Sequence, residues 1–298
     1  MAENLDLVLS AKSEIGEGPV WDFRRHALYW VDIPKYLVHI YDPATGVDRT
    51  INVGQEVGCV CPRRAGGLIL GMKGGFATLD IESETCRLLF NPENRLPHNR
   101  FNDGKCDPMG RFWAGTISTR KNSKGQREKG AGSLYCLYPD MTVRTMATGL
   151  TTSNGMAWSP DAKTLYFIDS SDSTVYAFDY DVETGDITNR KALITIPATE
   201  GKPDGMTIDE EGMLWIAHWG GGKITRWEPA GARLVKSFKL PVPQVSSCAF
   251  GGLHLDELYI TSARIGLTEE ELKSSPHSGA LFRVKPGVKG RPEPVFAG

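Results

Sequence analysis

The chain has 298 residues, 40% of them hydrophobic, with 34 Lys and Arg against 36 Asp and Glu and a formal net charge of −2. That balance lacks the basic stripe of a nucleic-acid binder, and no apolar run approaches the ~18 residues of a membrane span. With so much hydrophobic content, the 33 Gly and 18 Pro point to turns rather than disorder. The expectation is a globular protein without nucleic-acid or membrane partners. The opening segment carries Glu3 and Asp6 and lacks an apolar core of signal-peptide length, which adds the expectation of a cytoplasmic location. Six cysteines without a CxxC pair read as buried, reduced thiols rather than a disulfide or zinc framework.

In chain order, the first clear element is a strand–turn–strand phrase over 19–33, followed by a turn at Asp42–Gly46. The stretch 55–80 repeats the phrase least regularly. It returns over 105–117, around Asp107-Pro108-Met109-Gly110, and over 156–170, around Ser159-Pro160-Asp161. A further turn lies at Val182–Gly185, and 206–219 is the same phrase once more. Amphipathic helix patterns are scarce throughout. Aligned at their opening residues Glu17, Gly58, Asn102, Asn154, Asp204 and Ser247, the phrases are separated by 41, 44, 52, 50 and 43 residues. That spacing is about one four-stranded propeller blade, ~40–50 residues. The predicted fold is all-β: one six-bladed propeller over 1–298, with four-stranded antiparallel blades. Leu5–Leu9 and Pro294–Phe296 are expected to complete a blade jointly and so protect two open edges.

In a propeller the phrase openings converge at one mouth of a central channel. Three of them are hard oxygen donors, Glu17, Asn154 and Asp204, each followed by Gly at the same offset. Two carboxylates and an amide suit one divalent cation with oxygen preference, whereas no HxxxH or HExxH pattern offers zinc a competing site. Asn-Gly and Asp-Gly are also common turn dipeptides; the shared offset argues for the metal reading. Arg100 and Asn102 sit two apart at the equivalent place in their own repeat, so both can face the mouth. Asp103 and Lys105 read as structural. The basic segment 120–132, with Arg120, Lys121, Lys124, Arg127 and Lys129 against Glu128, reads as a solvated loop. Were it to overhang the mouth, it would favour acidic substrates.

The runs GEGPVW around Glu17, RFNDGKCDPMGRFWAGT at 100–116, SNGMAWSPD at 153–161, FDYDVETGDITNR at 178–190 and PDGMTIDEEGMLW at 203–215 resemble the SMP-30/gluconolactonase/regucalcin family. The segment from Ser262 to Gly298 does so too, and the match spans nearly the whole chain. The resemblance implies a six-bladed propeller with a divalent ion on its axis (Ca2+, Zn2+, Mn2+, Mg2+ or Fe2+), held by Glu17, Asn154 and Asp204. It implies hydrolysis of sugar lactones, with Asp204 as general base and Arg100 and Asn102 contacting substrate. One subgroup carries a substrate-contacting Glu after the position of Thr116; this chain reads Ile117-Ser118-Thr119 there, so substrate preference does not carry over. The expected function is metal-dependent lactone hydrolysis by a monomer or small homo-oligomer. The alternatives are a calcium-binding regulatory protein, although no EF-hand loop occurs, and a phosphotriesterase. A WD-type scaffold lacks its repeat signature.

Overall fold

The computed structural model describes residues 5–123 and 125–298. Its six four-stranded antiparallel sheets are the blades of a β-propeller. Five blades are meanders in chain order, each beginning at the axis with an inner strand: Gly16–Asp22, Val57–Pro62, Asn99–Cys106, Ser153–Trp158 and Lys202–Ile208. The sixth begins with Val245–Gly251. Glu17, Gly58, Asn102, Asn154, Asp204 and Ser247 fall one on each inner strand, within it rather than ahead of it as expected. Inner strands such as GEGPVWD and SNGMAW are buried on both faces, which is why they read as short continuous runs without clean alternation. Outer strands such as Ile187–Thr195 face solvent along most of their length.

The repeated phrase has a physical cause at the end of the channel where inner strands finish. Asp107 accepts the backbone N–H groups of Met109 (3.0 Å) and Arg111 (2.9 Å) and the Trp113 indole N–H (2.9 Å). Asp209 does the same for Glu211, Met213 and Trp215, at 3.0, 2.9 and 2.9 Å. One carboxylate thus closes the turn and pins the tryptophan of the next strand, satisfying donors that burial would otherwise strand. Trp113 then packs edge-on against Trp158 and Tyr180 of the neighbouring blade.

Closure differs in part from expectation. Leu5–Leu9 is the outermost strand of the sixth blade, paired antiparallel with Leu281–Val284, and Arg283 reaches Asp6 at 3.0 Å. Pro294–Phe296 joins no blade. Leu281–Val284 already fills the place, and Pro292 and Pro294 have no N–H to give a ladder. Instead the C-terminal segment crosses the face where inner strands end. It bonds Glu210 through Lys289, Leu255 through Gly290, Pro62 and Arg64 through Phe296, and Gly110 through Ala297. All six cysteines are free thiols, five of them buried. Among the described residues no helix is long and apolar enough to cross a membrane.

Candidate active site at the mouth of the axial channel

Every inner strand breaks its pairing register at or beside its anchor residue, between Glu17 and Val20, Val57 and Cys59, Phe101 and Gly104, Ser153 and Met156, Pro203 and Met206, and Val245 and Ser247. Such a bulge re-aims a side chain out of the sheet's alternation; six of them around one axis point six residues at one space. The Asn-Gly and Asp-Gly pairs are therefore not turns. A Cβ on Gly155 would lie 2.5 Å from the Met206 nitrogen, and one on Gly205 would overlap the Ser247 hydroxyl. After Asn154 and Asp204 glycine is required because the next inner strand passes too close for a side chain; after Glu17 it is required by the positive φ of Gly18, +53°.

A continuous chain of polar contacts joins three blades. Arg100 Nη1 donates to Asn102 Oδ1 (2.9 Å) and to its neighbouring Phe101 carbonyl (2.8 Å). Asn102 Nδ2 donates to the Ser153 carbonyl (2.8 Å) and to Asn154 Oδ1 (3.1 Å). Asn154 Nδ2 donates to Ser170 Oγ (2.8 Å) and to Asp204 Oδ1. Ser170 in turn donates to the Pro203 carbonyl at 2.6 Å, fixing the strand that carries Asp204. Glu17, on the blade across the axis, accepts from the Gly18 N–H at 2.9 Å.

The electrostatics of this space are unbalanced. Glu17, Asp103 and Asp204 are each at most 8% exposed. Burial first, then Asp204 and Asp103, raises the Glu17 carboxyl well above its ordinary value. Burial and Asp103 do the same to Asp204, against the Asn154 N–H. Burial pushes Asp103 up to about 6 even though Lys105 pulls the other way. On the rim, burial depresses Arg100 to about 10 despite Glu56, whose Oε1 lies 3.6 Å from Arg100 Nε. Among the described residues no three His, Cys, Asp or Glu side chains are grouped closely enough to hold an ion by themselves, so a cation here would draw on the Asn154 amide as well. Below the mouth, Asp103, Gly18, Met206, Ser247 and Lys105 line a small axial cavity.

The family model described as SMP-30/Gluconolactonase/LRE-like region matches residues 15–264. The chain belongs to this family. Regucalcin of Xenopus laevis is 41% identical over 295 residues, 99% of this chain and 98% of that protein. The solved luciferin-regenerating enzyme superposes with a TM-score of 0.92 at 33% identity, covering 99% of this chain and 100% of its own. A structure described as a calcium-binding protein, regucalcin, from Agrobacterium tumefaciens gives 0.91 at 27% identity, covering 97% and 96%.

The SMP-30/gluconolactonase frame brings Arg100, Asn102, Asn154 and Asp204 into one contact chain, with Asp204 near enough to Glu17 to raise its carboxyl. Lys105 pairs outside its own turn, its Nζ 3.1 Å from Glu293 of the C-terminal segment. Asp103 is not confined to its turn: beyond accepting from the Gly104 N–H at 2.7 Å, it faces Glu17 and Asp204. Adjacent residues on a regular strand point to opposite faces, but the bulge between Phe101 and Gly104 turns both Asn102 and Asp103 inward. The basic loop is exposed at every described residue from 120 to 130 except Arg127.

Proposed function

We propose that this chain is a divalent-metal-dependent lactonase that opens the ring ester of sugar-acid lactones. Membership of the family supports a lactonase or a calcium-binding, regucalcin-like role. The observation that favours the enzyme is the pairing of buried, mutually opposed carboxylates with donors aimed at the same mouth. Glu17, Asn154 and Asp204 are the proposed ligands. Their oxygens suit a hard cation, and the raised carboxyls of Glu17 and Asp204 mark negative charge that a dication would balance. Asn154 Oδ1 accepts one hydrogen bond, from Asn102, and so retains a lone pair. Ca2+, Mg2+, Mn2+, Zn2+ and Fe2+ all accept such a set. When bound, the ion supplies Lewis-acid polarisation of the lactone carbonyl.

The protein's own residues do the rest. Asp204 has Oδ1 engaged by Asn154, which leaves Oδ2 to take a proton from the attacking water. The water oxygen forms a bond to the carbonyl carbon, the ring C–O bond breaks, and the departing ring oxygen gains a proton, giving the open-chain hydroxy acid. Arg100 and Asn102, braced against each other, hold substrate oxygens in register with that water. Metal-stripped protein assayed on a lactone panel with single metals restored tests the reading. Asp204→Asn should lower kcat by about 10²–10⁴-fold without lowering the unfolding midpoint. A variant with undiminished metal-dependent turnover refutes the base. The regulatory reading, favoured by the names of the relatives, predicts tight Ca2+ binding with no turnover of any lactone.

A further inference from the structure

Arg127 is a cation without an acidic partner among the described residues. The loop that carries it folds back as a small hairpin: Lys121 bridges Arg127, Asn122 N–H donates to the Gln126 carbonyl (2.9 Å), and Glu128 N–H to the Arg120 carbonyl (3.2 Å). Its acidic neighbour Glu128 accepts from Ser118 Oγ at 3.2 Å. Arg127 Nη1 donates to the Ser118 carbonyl at 3.1 Å. Ser118 is paired with Asn99, the residue before Arg100, so this bond sets Arg127 at the mouth end of its blade, where its charge acts on Asp204, Glu56 and Arg100. Opposite it, Arg100 is 5% exposed and its Nε–H has no hydrogen-bond partner.

Two guanidiniums facing one another at a rim repel unless an anion lies between them, and the protein supplies only Glu56, at 3.6 Å from Arg100. Deeper in the channel the charge is negative, from Glu17, Asp103 and Asp204. A substrate spanning both layers would present its ring ester inward and an anionic group outward. Glu56 is shared with Lys73, whose Nζ lies 3.7 Å from its other oxygen, so positive charge at the rim exceeds what this acid offsets and an anionic group is favoured there. A guanidinium fork matches a carboxylate in shape as well as charge.

Building on the lactonase reading, we propose that Arg127, together with Arg100, receives a free carboxylate on the substrate. The preferred substrates are then monolactones of sugar dicarboxylic acids rather than neutral aldonolactones. Arg127 is a specificity residue here: it binds the distal group and leaves the proton transfer to Asp204.

The test compares glucarolactone, gluconolactone and 6-phosphogluconolactone on full-length, metal-loaded protein and its Arg127→Gln and Arg127→Lys variants. The wild type should favour glucarolactone in kcat/KM. Arg127→Gln should reduce the glucarolactone-to-gluconolactone ratio at least tenfold, mainly through KM, with partial recovery in Arg127→Lys. Calorimetry with the open-chain acids adds a readout independent of turnover: glucarate should bind more tightly than gluconate, with the difference lost in Arg127→Gln. Ratios unmoved by the substitution, or a preference for the phosphorylated lactone, overturn the proposal while leaving lactonase activity standing. Arg127-dependent glucarate binding without turnover of any lactone upholds the carboxylate receptor and overturns the lactonase reading.

Discussion

At the closed end of the axial channel Lys105 and Glu293 meet at 3.1 Å, and Thr207 Oγ1 and the Met206 carbonyl complete their hydrogen bonds. At the mouth three carboxylates face one another, and two guanidiniums stand near them without matched partners. Both ends bury charge in the same six-fold frame. Burial works against the charge of Lys105, yet Glu293 beside it more than compensates, and the lysine titrates above its ordinary value. At the mouth the nearby cations, Lys105 for Asp103 and Arg127 for Asp204, do not offset burial, and the acids resist ionisation. Charge left uncompensated at one end only is the asymmetry that the proposed ligand site at the mouth requires.

Glu293→Ala makes the closed end resemble the mouth and carries the largest expected stability effect. A buried ammonium without its carboxylate costs about 3–5 kcal/mol, and Asp103, the other acid facing Lys105, places the loss near the lower bound. Urea unfolding should show it, and adding Lys105→Met should recover most of it. A loss under about 1 kcal/mol for the single variant would mean that the C-terminal segment is not held by this pair.

His218 supplies a third case, a titratable group just behind the mouth whose partners are complete. It sits opposite Pro203 in the sheet, and its ring nitrogens contact the Glu200 carbonyl at 2.9 Å and Thr225 Oγ1 at 2.6 Å. A carbonyl only accepts, so Nδ1 carries the proton and Nε2 accepts from the threonine. Burial depresses this histidine to about 4. Between that value and the ordinary ~6.5 the unfolded chain binds a proton that the folded chain does not. Stability is therefore full above ~6.5 and is lost as pH falls toward 4, by about 3 kcal/mol in total. His218→Gln should flatten the unfolding free energy over that interval; an unchanged slope would rule out His218 as its source.

Which of these features could be read from residues alone follows from where alternation holds. The blade period was legible in part because two of the turns are closed by the same short-range clip, Asp107 to Trp113 and Asp209 to Trp215, six residues apart. Glu17, Asn154 and Asp204 stood out in the sequence because each is followed by Gly at the same offset, and each lies at or beside the bulge of its inner strand. The same bulge hid Asp103: adjacent positions on a strand are read as opposite faces, and only coordinates show both turned inward. Arg127 was hidden for a different reason. Composition gives a loop's charge but not the side to which it folds, and its exposed neighbours fit the solvated reading well. Pro294–Phe296 was misplaced because a strand-like tail was matched to an edge that Leu281–Val284 already occupies.

Glu17→Gln sharpens the comparison from the mouth, with the smallest effect and an inverted sign. The raised Glu17 carboxyl means that the folded chain keeps a proton which the unfolded chain has lost, so stability declines as pH rises from the ordinary ~4.5 through the raised value. Glutamine keeps the acceptor for the Gly18 N–H but removes the charge facing Asp204 and Asp103. In chelator at neutral pH the variant should be more stable than the parent, since it no longer takes up a proton on folding. With saturating cation the order should reverse, because a ligand at a hundred times its Kd adds ~2.7 kcal/mol to the protein that retains the site. A parent more stable than the variant in chelator would show that the mouth carboxylates are already compensated, as Lys105 and Glu293 are.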